Sequence, residues 1–397
     1  MAVRTYVPDQ DTREAVETPR RSRPSAPSRV RRVLIVACAL VLIPAIASYL
    51  SAMLEPSNSS LGIRSVEWLR DNGAAPLVTK VESVYYTLTA PPKGGPALKE
   101  LPQAGVAAAA AGGARGAAPL VDRPRAVRAL TRPVLAGEGV WQPSRASESR
   151  TDPPLLLTTY RSDPAEYPRL VAGVAWINTS RTAITLYAGR MEPSVRLPSR
   201  GAMQVPPGSR GRLLATFNSG FKLADADGGW ALDGHAYAPM RNGQATFVRY
   251  RDGRYDVIDW SGGAQVPPDV VFARQNLPLI VNGGRPNPNL SDGPAWGATL
   301  GNAIAVWRSG IGVDRHGNLI YAAANDQTVA SLAQILIHAG AVRAMELDIN
   351  SYWVSFISYG QSGGREPSNL LGSMERSASR YLSPDDRDFF AVYERAR

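Results

Sequence analysis

The chain is short of several residues on which common chemistries depend. Among its 397 residues are one cysteine, Cys38, and three histidines, His235, His316 and His338. A single thiol excludes an intrachain disulfide, a CxxC redox pair and a cysteine zinc site. Three histidines so spaced cannot form an HExxH zinc helix, and Walker A and dinucleotide glycine patterns are absent. Only four of the 44 basic residues are lysines (Lys80, Lys93, Lys99 and Lys222), with Ala, Gly and Pro abundant, as a GC-rich genome gives. The formal net charge of +10 is therefore partly codon usage. No lysine-rich run or aromatic-interleaved basic stripe is present, so nucleic acid is not an expected partner. No cofactor is expected either.

With 44% hydrophobic and 20% charged residues, the chain is too apolar for general disorder and too polar for a polytopic membrane protein. At roughly 150 residues per domain it has room for one large domain or two ordinary ones with appendages. One long apolar run stands out, Val33 to Leu54, which carries no charge and is long enough to cross a hydrocarbon core of roughly 30 Å once. Arg20, Arg21, Arg23, Arg29, Arg31 and Arg32 precede it, whereas Glu55, Arg64, Glu67, Arg70 and Asp71 balance after it. The positive-inside rule then predicts a single-pass cell-membrane protein with a cytoplasmic N-terminus and an extracellular globular part. The alternative is a cleaved signal peptide, since Ala45-Ile46-Ala47 resembles a cleavage site, although the leader before it is long.

The expected organisation is an Arg-rich tail over 1–32, a transmembrane anchor over 33–54, a juxtamembrane helical hairpin over 55–90, an Ala/Gly/Pro-rich linker over 91–131 and a globular domain over 132–397. The hairpin rests on Val66, Leu69, Leu77, Val81 and Val84 at helical spacing, broken at Asn72-Gly73 and Pro76. Within Ala90 to Pro119, 22 of 30 residues are Ala, Gly or Pro, a composition too poor in buriable surface to offset ordering entropy.

Beyond the linker, strand signals dominate. They run over 155–160, 171–177, 183–188, 213–217, 245–250, 256–259, 277–281, 303–309 and 319–324, separated by Gly, Asn and Pro. A helix is expected after Thr328 with Gly340 as its stop, followed by a strand over 342–350. Ser383-Pro384-Asp385-Asp386 reads as a capping box opening a second helix through Phe389, Phe390 and Tyr393. The fold class is α+β: a mixed, β-sheet-rich globular domain with few helices, preceded by one N-terminal transmembrane helix.

Chemistry is expected at Arg343 to Asn350, where Met345, Leu347 and Ile349 alternate with Glu346, Asp348 and Asn350. On a strand this alternation points two carboxylates and an amide to one face. Neighbouring carboxyls push their pKa values apart, the condition for one to donate and the other to accept. A solvated strand face is the alternative. Two turns, Asn218-Ser219-Gly220 and Asn282-Gly283-Gly284, flank strand signals and let the backbone approach a ligand. Arg308, followed by Ser309-Gly310-Ile311-Gly312, is placed like an anion clamp whose planar fork suits a phosphate. His235 lies in a turn near these glycines. Asp225 and Asp227 resemble the start of a calcium loop, a weak Ca²⁺ possibility because the later acidic ligand is missing. Gly360 to Gly364 fits GxSxG, but no histidine follows His338 to complete that machinery.

The order FNSGF, NGG, WRSGIGVD, then a helix ending in GAVRAMELD resembles the phosphodiester glycosidase family typified by N-acetylglucosamine-1-phosphodiester α-N-acetylglucosaminidase. The similarity spans about residues 150 to 360, with Asn218 and Gly220 matching its first turn, Arg308 and Gly312 its arginine strand, and Leu347 and Asp348 its last motif. Ser219, Lys222, Glu346 and Ile349-Asn350 depart from the family pattern. The resemblance implies hydrolysis of a sugar-1-phosphate diester at the glycosidic bond, with a glycan or sugar-phosphate polymer as substrate. Catalytic roles then fall to Asp348, Glu346 and Arg308, and substrate positioning to Asn218, Gly220, Asn282, Gly283, Asn350 and His235. The rival expectation is a non-catalytic glycan-binding or envelope-assembly protein on the same fold.

Overall fold

In a computed structural model of the chain, the described residues are 26–78, 80–81, 123–145, 153–163, 167–297 and 305–395, with isolated positions between 94 and 104. The expected tail up to residue 25 and the heart of the expected linker, 105–122, lie outside them. The chain divides into two compact units, one ending at Glu55 and the other running from Pro56.

The first unit is helix α1, Ala26–Leu54, with Pro44 inside it. Its segment Val30–Leu54 is long and apolar enough to cross a membrane.

The second unit opens with helix α2, Leu61–Leu69, whose Ser60 hydroxyl accepts from the Ile63 N–H as an N-cap. Helical structure runs on to a break at Asn72 (φ −107°) and Gly73 (φ 89°), the Asn-Gly pair that the sequence marks. The strands in chain order are β1 Gln142–Pro143, β2 Leu155–Asp163, β3 Tyr167–Ile177, β4 Thr182–Tyr187, β5 Leu213–Asn218, β6 Trp230–Leu232, β7 His235–Ala238, β8 Ala245–Tyr250 and β9 Tyr255–Asp259. They continue with β10 Val270–Gln275, β11 Val281–Asn282, β12 Arg285–Pro286, β13 Val306–Val313, β14 Leu319–Gln327, β15 Arg343–Glu346, β16 Phe356–Gln361, β17 Arg365–Asn369 and β18 Phe389–Glu394. Helix α3, Val329–His338, connects β14 to β15. Three sheets result, ordered β1-β2-β3-β14-β13-β15-β11-β12, β7-β6-β10-β8-β9 and β17-β16-β5-β18-β4.

The period-2 alternation of the strands divides the core. Leu155 and Leu157 face a cluster shared with Phe217, Phe247 and Phe390 of the two smaller sheets. Leu156, pointing the other way, joins Ile320, Leu332 and Leu336 under α3. The large sheet is thus covered on both faces, by sheets on one side and by α3 on the other. Thr328 caps α3 by accepting from the Ser331 N–H at 3.1 Å, and Gly340 (φ 106°) ends it. The close approach of α3 requires glycine in β13: a Cβ at Gly310 would stand 2.9 Å from both Leu336 Cδ1 and the Met345 carbonyl oxygen.

Three local expectations are corrected. The strand expected over 342–350 is regular only to Glu346; Leu347 and Asp348 both bond to Ser309 of β13, an irregular pairing, and the chain then turns away at Ile349 and Asn350. The stretch 277–281 is strand only at its end, where β11 begins, while β10 just before it was not foreseen. The helix expected after Ser383 is strand β18, an inner strand of its sheet between β5 and β4. Asp385 caps no helix, because its carboxylate accepts from Arg380 Nε at 2.7 Å. Phe389, Phe390, Ala391 and Val392 are buried on successive positions, as a strand covered on both faces requires.

Candidate active site

The end of β15 sets the site. Glu346 pairs in register with Gly310 of β13, and the Arg308 guanidinium on that strand closes on it, Nη1 to Glu346 Oε1. Arg308 also donates from Nε to the Gln327 carbonyl at 2.9 Å and from Nη1 to the Trp296 carbonyl at 3.2 Å. Both side chains are buried, at 1% and 0% exposure. Burial pushes the Glu346 carboxyl up to about 7 against the opposing pull of Arg308. Its second oxygen, Oε2, has no hydrogen-bond partner.

Asp348 sits two residues on, past the regular strand, with its carbonyl still accepting from the Ser309 N–H of β13 at 3.1 Å. Its Oδ1 accepts from the Asn350 N–H at 3.0 Å, and Asn350 Oδ1 in turn accepts from the Tyr352 N–H at 2.9 Å. These consecutive turns aim Asp348 and Asn350 into a cavity of about 590 Å³ that both line, together with Phe221, Lys222, Trp353 and Arg387. Arg387 Nη2 donates to Asp348 Oδ2 at 2.9 Å. Burial raises the Asp348 pKa despite that guanidinium.

Asn218 acts from behind. Its Oδ1 accepts from the Tyr321 hydroxyl (2.9 Å) and the Ser355 N–H (3.0 Å), and its Nδ2 donates to Ser309 Oγ at 3.0 Å. Ser309 Oγ donates to the Asp348 carbonyl at 2.8 Å. Asn218 therefore ties the Asp348 turn to β13, with its own amide fully used. Gly220 contributes a backbone carbonyl to Arg387 and space for Asn276, whose Cγ would be 3.1 Å from a Cβ there. Asn276 Nδ2 donates to the carbonyls of Glu346 and Leu347, fixing the strand end.

Other expected site residues lie elsewhere. Asn282 and Gly283 form the exposed β11–β12 turn, with Asn282 opposite Arg343 at the far end of β15 from Glu346. His235 is exposed on β7, at the edge of its sheet, with its ring 4.5 Å from that of Tyr237. Asp225 lines the cavity, but Asp227 pairs with Arg241 at 2.9 Å. Among the described residues no group of three His, Cys, Asp or Glu side chains is gathered to hold a metal ion.

Two contributors went unforeseen. The first is Arg387, within the run Asp385 to Asp388, each member of which has a separate ionic partner: Arg380, Arg190, Asp348 and Arg274 respectively. The second is the segment after Pro56. Asn58 Nδ2 donates to Asp385 Oδ2 and Ser57 Oγ to Asp386 Oδ2. Glu67 pairs with Lys222 at 2.5 Å, and Arg70 and Asp71 line the cavity. Burial would raise the Glu67 pKa, but Lys222 and Arg387 outweigh it and hold the carboxyl below its usual range.

No family profile and no curated protein matches the sequence. Among solved structures, the chain is similar to the catalytic domain of zebrafish N-acetylglucosamine-1-phosphodiester alpha-N-acetylglucosaminidase auto-inhibited by its pro-peptide, at 16% identity and TM-score 0.39, covering 64% of this chain and 87% of that one. It is also similar to a hypothetical protein from Synechocystis, at 14% identity and TM-score 0.36, covering 68% of this chain and 65% of that one.

Proposed function

We propose that the chain is a membrane-anchored hydrolase of the phosphodiester glycosidase kind, held outside the cytoplasm by residues 33–54. Its substrate is a sugar-1-phosphate diester of a cell-envelope glycan or exopolysaccharide. The observation that carries this reading is Asp348 lining a cavity of about 590 Å³ with Arg387 and Asn350 beside it. That volume is within the range of sites that enclose a small ligand.

In this reading the bond between the anomeric carbon and the phosphate oxygen breaks, and the phosphomonoester leaves with the bonding electrons. Water supplies the new hydroxyl, and Asp348 takes its proton. The raised pKa of Asp348 suits a base that must hold a proton during turnover. Because the leaving phosphate is already a weak base, charge stabilisation matters more than a strong general acid. Glu346 and Arg308 face each other, not the cavity, so their part is to fix the strand end and set the field behind Asp348. Asn350 orients substrate hydroxyls.

The second reading, a non-catalytic glycan-binding or envelope-assembly protein, is favoured by the closure of Arg308 on Glu346. Asp348→Asn separates the two. Release of free sugar from a sugar-1-phosphodiester should fall by about 10²–10⁴-fold, the range for loss of a general base, while glycan binding persists. No sugar release by the wild-type chain from either a diester or a plain glycoside would sink the hydrolase reading.

A further inference from the structure

We infer that Arg387 is the residue of this cavity that binds an oxyanion of the ligand, in the place the sequence assigns to Arg308. The argument is a comparison of donors. Arg274 uses Nε on Asp388, Nη1 on the Gln275 carbonyl and Nη2 on the Phe221 carbonyl. Arg380 likewise engages Nε, Nη1 and Nη2 with Asp385, Ser355 and the Trp353 carbonyl. Arg308 is held by Glu346, Gln327 and Trp296.

Arg387 differs from all three. Its side-chain hydrogen bonds among the described residues run through Nη2 alone, to Asp348 at 2.9 Å and to the Gly220 carbonyl at 3.4 Å. Nε is sealed in the interior without a partner, whereas Nη1 has no hydrogen bond and is not sealed, so it is the donor left for the cavity. The residue is only 7% exposed yet lines the cavity. Trp353, 5.3 Å from the guanidinium carbon, supports the group. A ligand oxygen is the partner this geometry lacks, and a charged oxygen makes the stronger bond. Lys222 on the same wall adds a second cation, balanced by Glu67 and Asp71.

That the anion is a phosphate rests on the proposed function; that Arg387 binds an anion does not. The full chain in detergent is treated with phenylglyoxal at constant ionic strength, and the modification of Arg387 is followed by peptide mass spectrometry. N-acetylglucosamine 1-phosphate should slow it at least fivefold and neutral N-acetylglucosamine should not. Protection by glucuronate and not by the sugar phosphate would uphold the anion site and overturn the phosphodiester reading. Because R387Q alone leaves Asp348 buried without its partner, calorimetric titration compares D348N with D348N/R387Q, in which neither charge remains. The double variant should bind N-acetylglucosamine 1-phosphate at least tenfold more weakly. Equal binding by the two, or protection by neither anion, overturns the inference.

Discussion

Arg308 and Glu346 lie on adjoining antiparallel strands and close on each other in the interior, leaving Asp348 as the neighbouring carboxylate that lines the cavity. The pair is therefore a structural ion pair directly behind the candidate chemistry. Removing one member of such a pair is far worse than removing both. At pH 8, above the titration of Glu346, Arg308→Met should lower unfolding free energy by about 3–5 kcal/mol, and adding Glu346→Leu should restore most of it. Denaturant titration of the single and double variants checks this. A loss of less than about 1 kcal/mol in R308M would mean that the pair is not energetically coupled.

The same carboxyl carries a pH signature. Glu346 is raised from its ordinary 4.5 to about 7 by burial. Between those values the folded state holds a proton that the unfolded chain has released, so stability falls as pH rises through the window and levels off above it. One proton gives a slope of at most about 1.4 kcal/mol per pH unit. Asp348, also raised, contributes in the same direction. Unfolding curves of wild type and Glu346→Gln at several pH values between 4.5 and 8 should show the slope flattened in the variant. Parallel curves would refute the assignment.

The contact between α3 and the sheet is equally specific. Gly310→Ala puts a methyl group against both Leu336 and the backbone of Met345. Overpacking of this kind costs about 1–3 kcal/mol. The same substitution at Gly208, which meets nothing within 4 Å, should be close to neutral. The difference between the two melting temperatures is the test.

Docking of α2 can be probed at one pair. Lys222→Gln removes the partner of Glu67 and Asp71. Partly exposed pairs contribute at most about 1 kcal/mol, so amide exchange over Ile63 to Leu69 should quicken by about fivefold. Exchange unchanged in that stretch, with Ser57 and Asn58 intact, would place the whole anchorage on the polar contacts to Asp385 and Asp386.

The sheet-rich core was legible because alternation and turn residues are local signals. The strands from Leu155, Val171 and Leu213 and the Thr328-capped helix follow from them directly. The C-terminal helix was misread because Ser-Pro-Asp-Asp satisfies a capping pattern locally, whereas the four residues Asp385 to Asp388 have distant partners. For the same reason Arg387 was invisible: nothing near it in the chain says that Asp348 is its neighbour. Of the two carboxylates singled out in the sequence, Asp348 lines the cavity and Glu346 is buried against Arg308. Placing them on one strand face was an error of range, since regular pairing breaks between them, where Leu347 and Asp348 share Ser309 as partner. The docking of Ser57 and Asn58 has no local signature at all.

That docking bears on how a soluble form should be cut. A fragment starting at Arg132, where the globular domain was expected to begin, would strip Asp385 and Asp386 of two hydrogen-bond partners and delete Arg70 and Asp71 from the cavity wall. Starting at Pro56 instead retains the first stitches of the seam, and inactivity of any shorter version would speak of a missing wall before it spoke of missing chemistry.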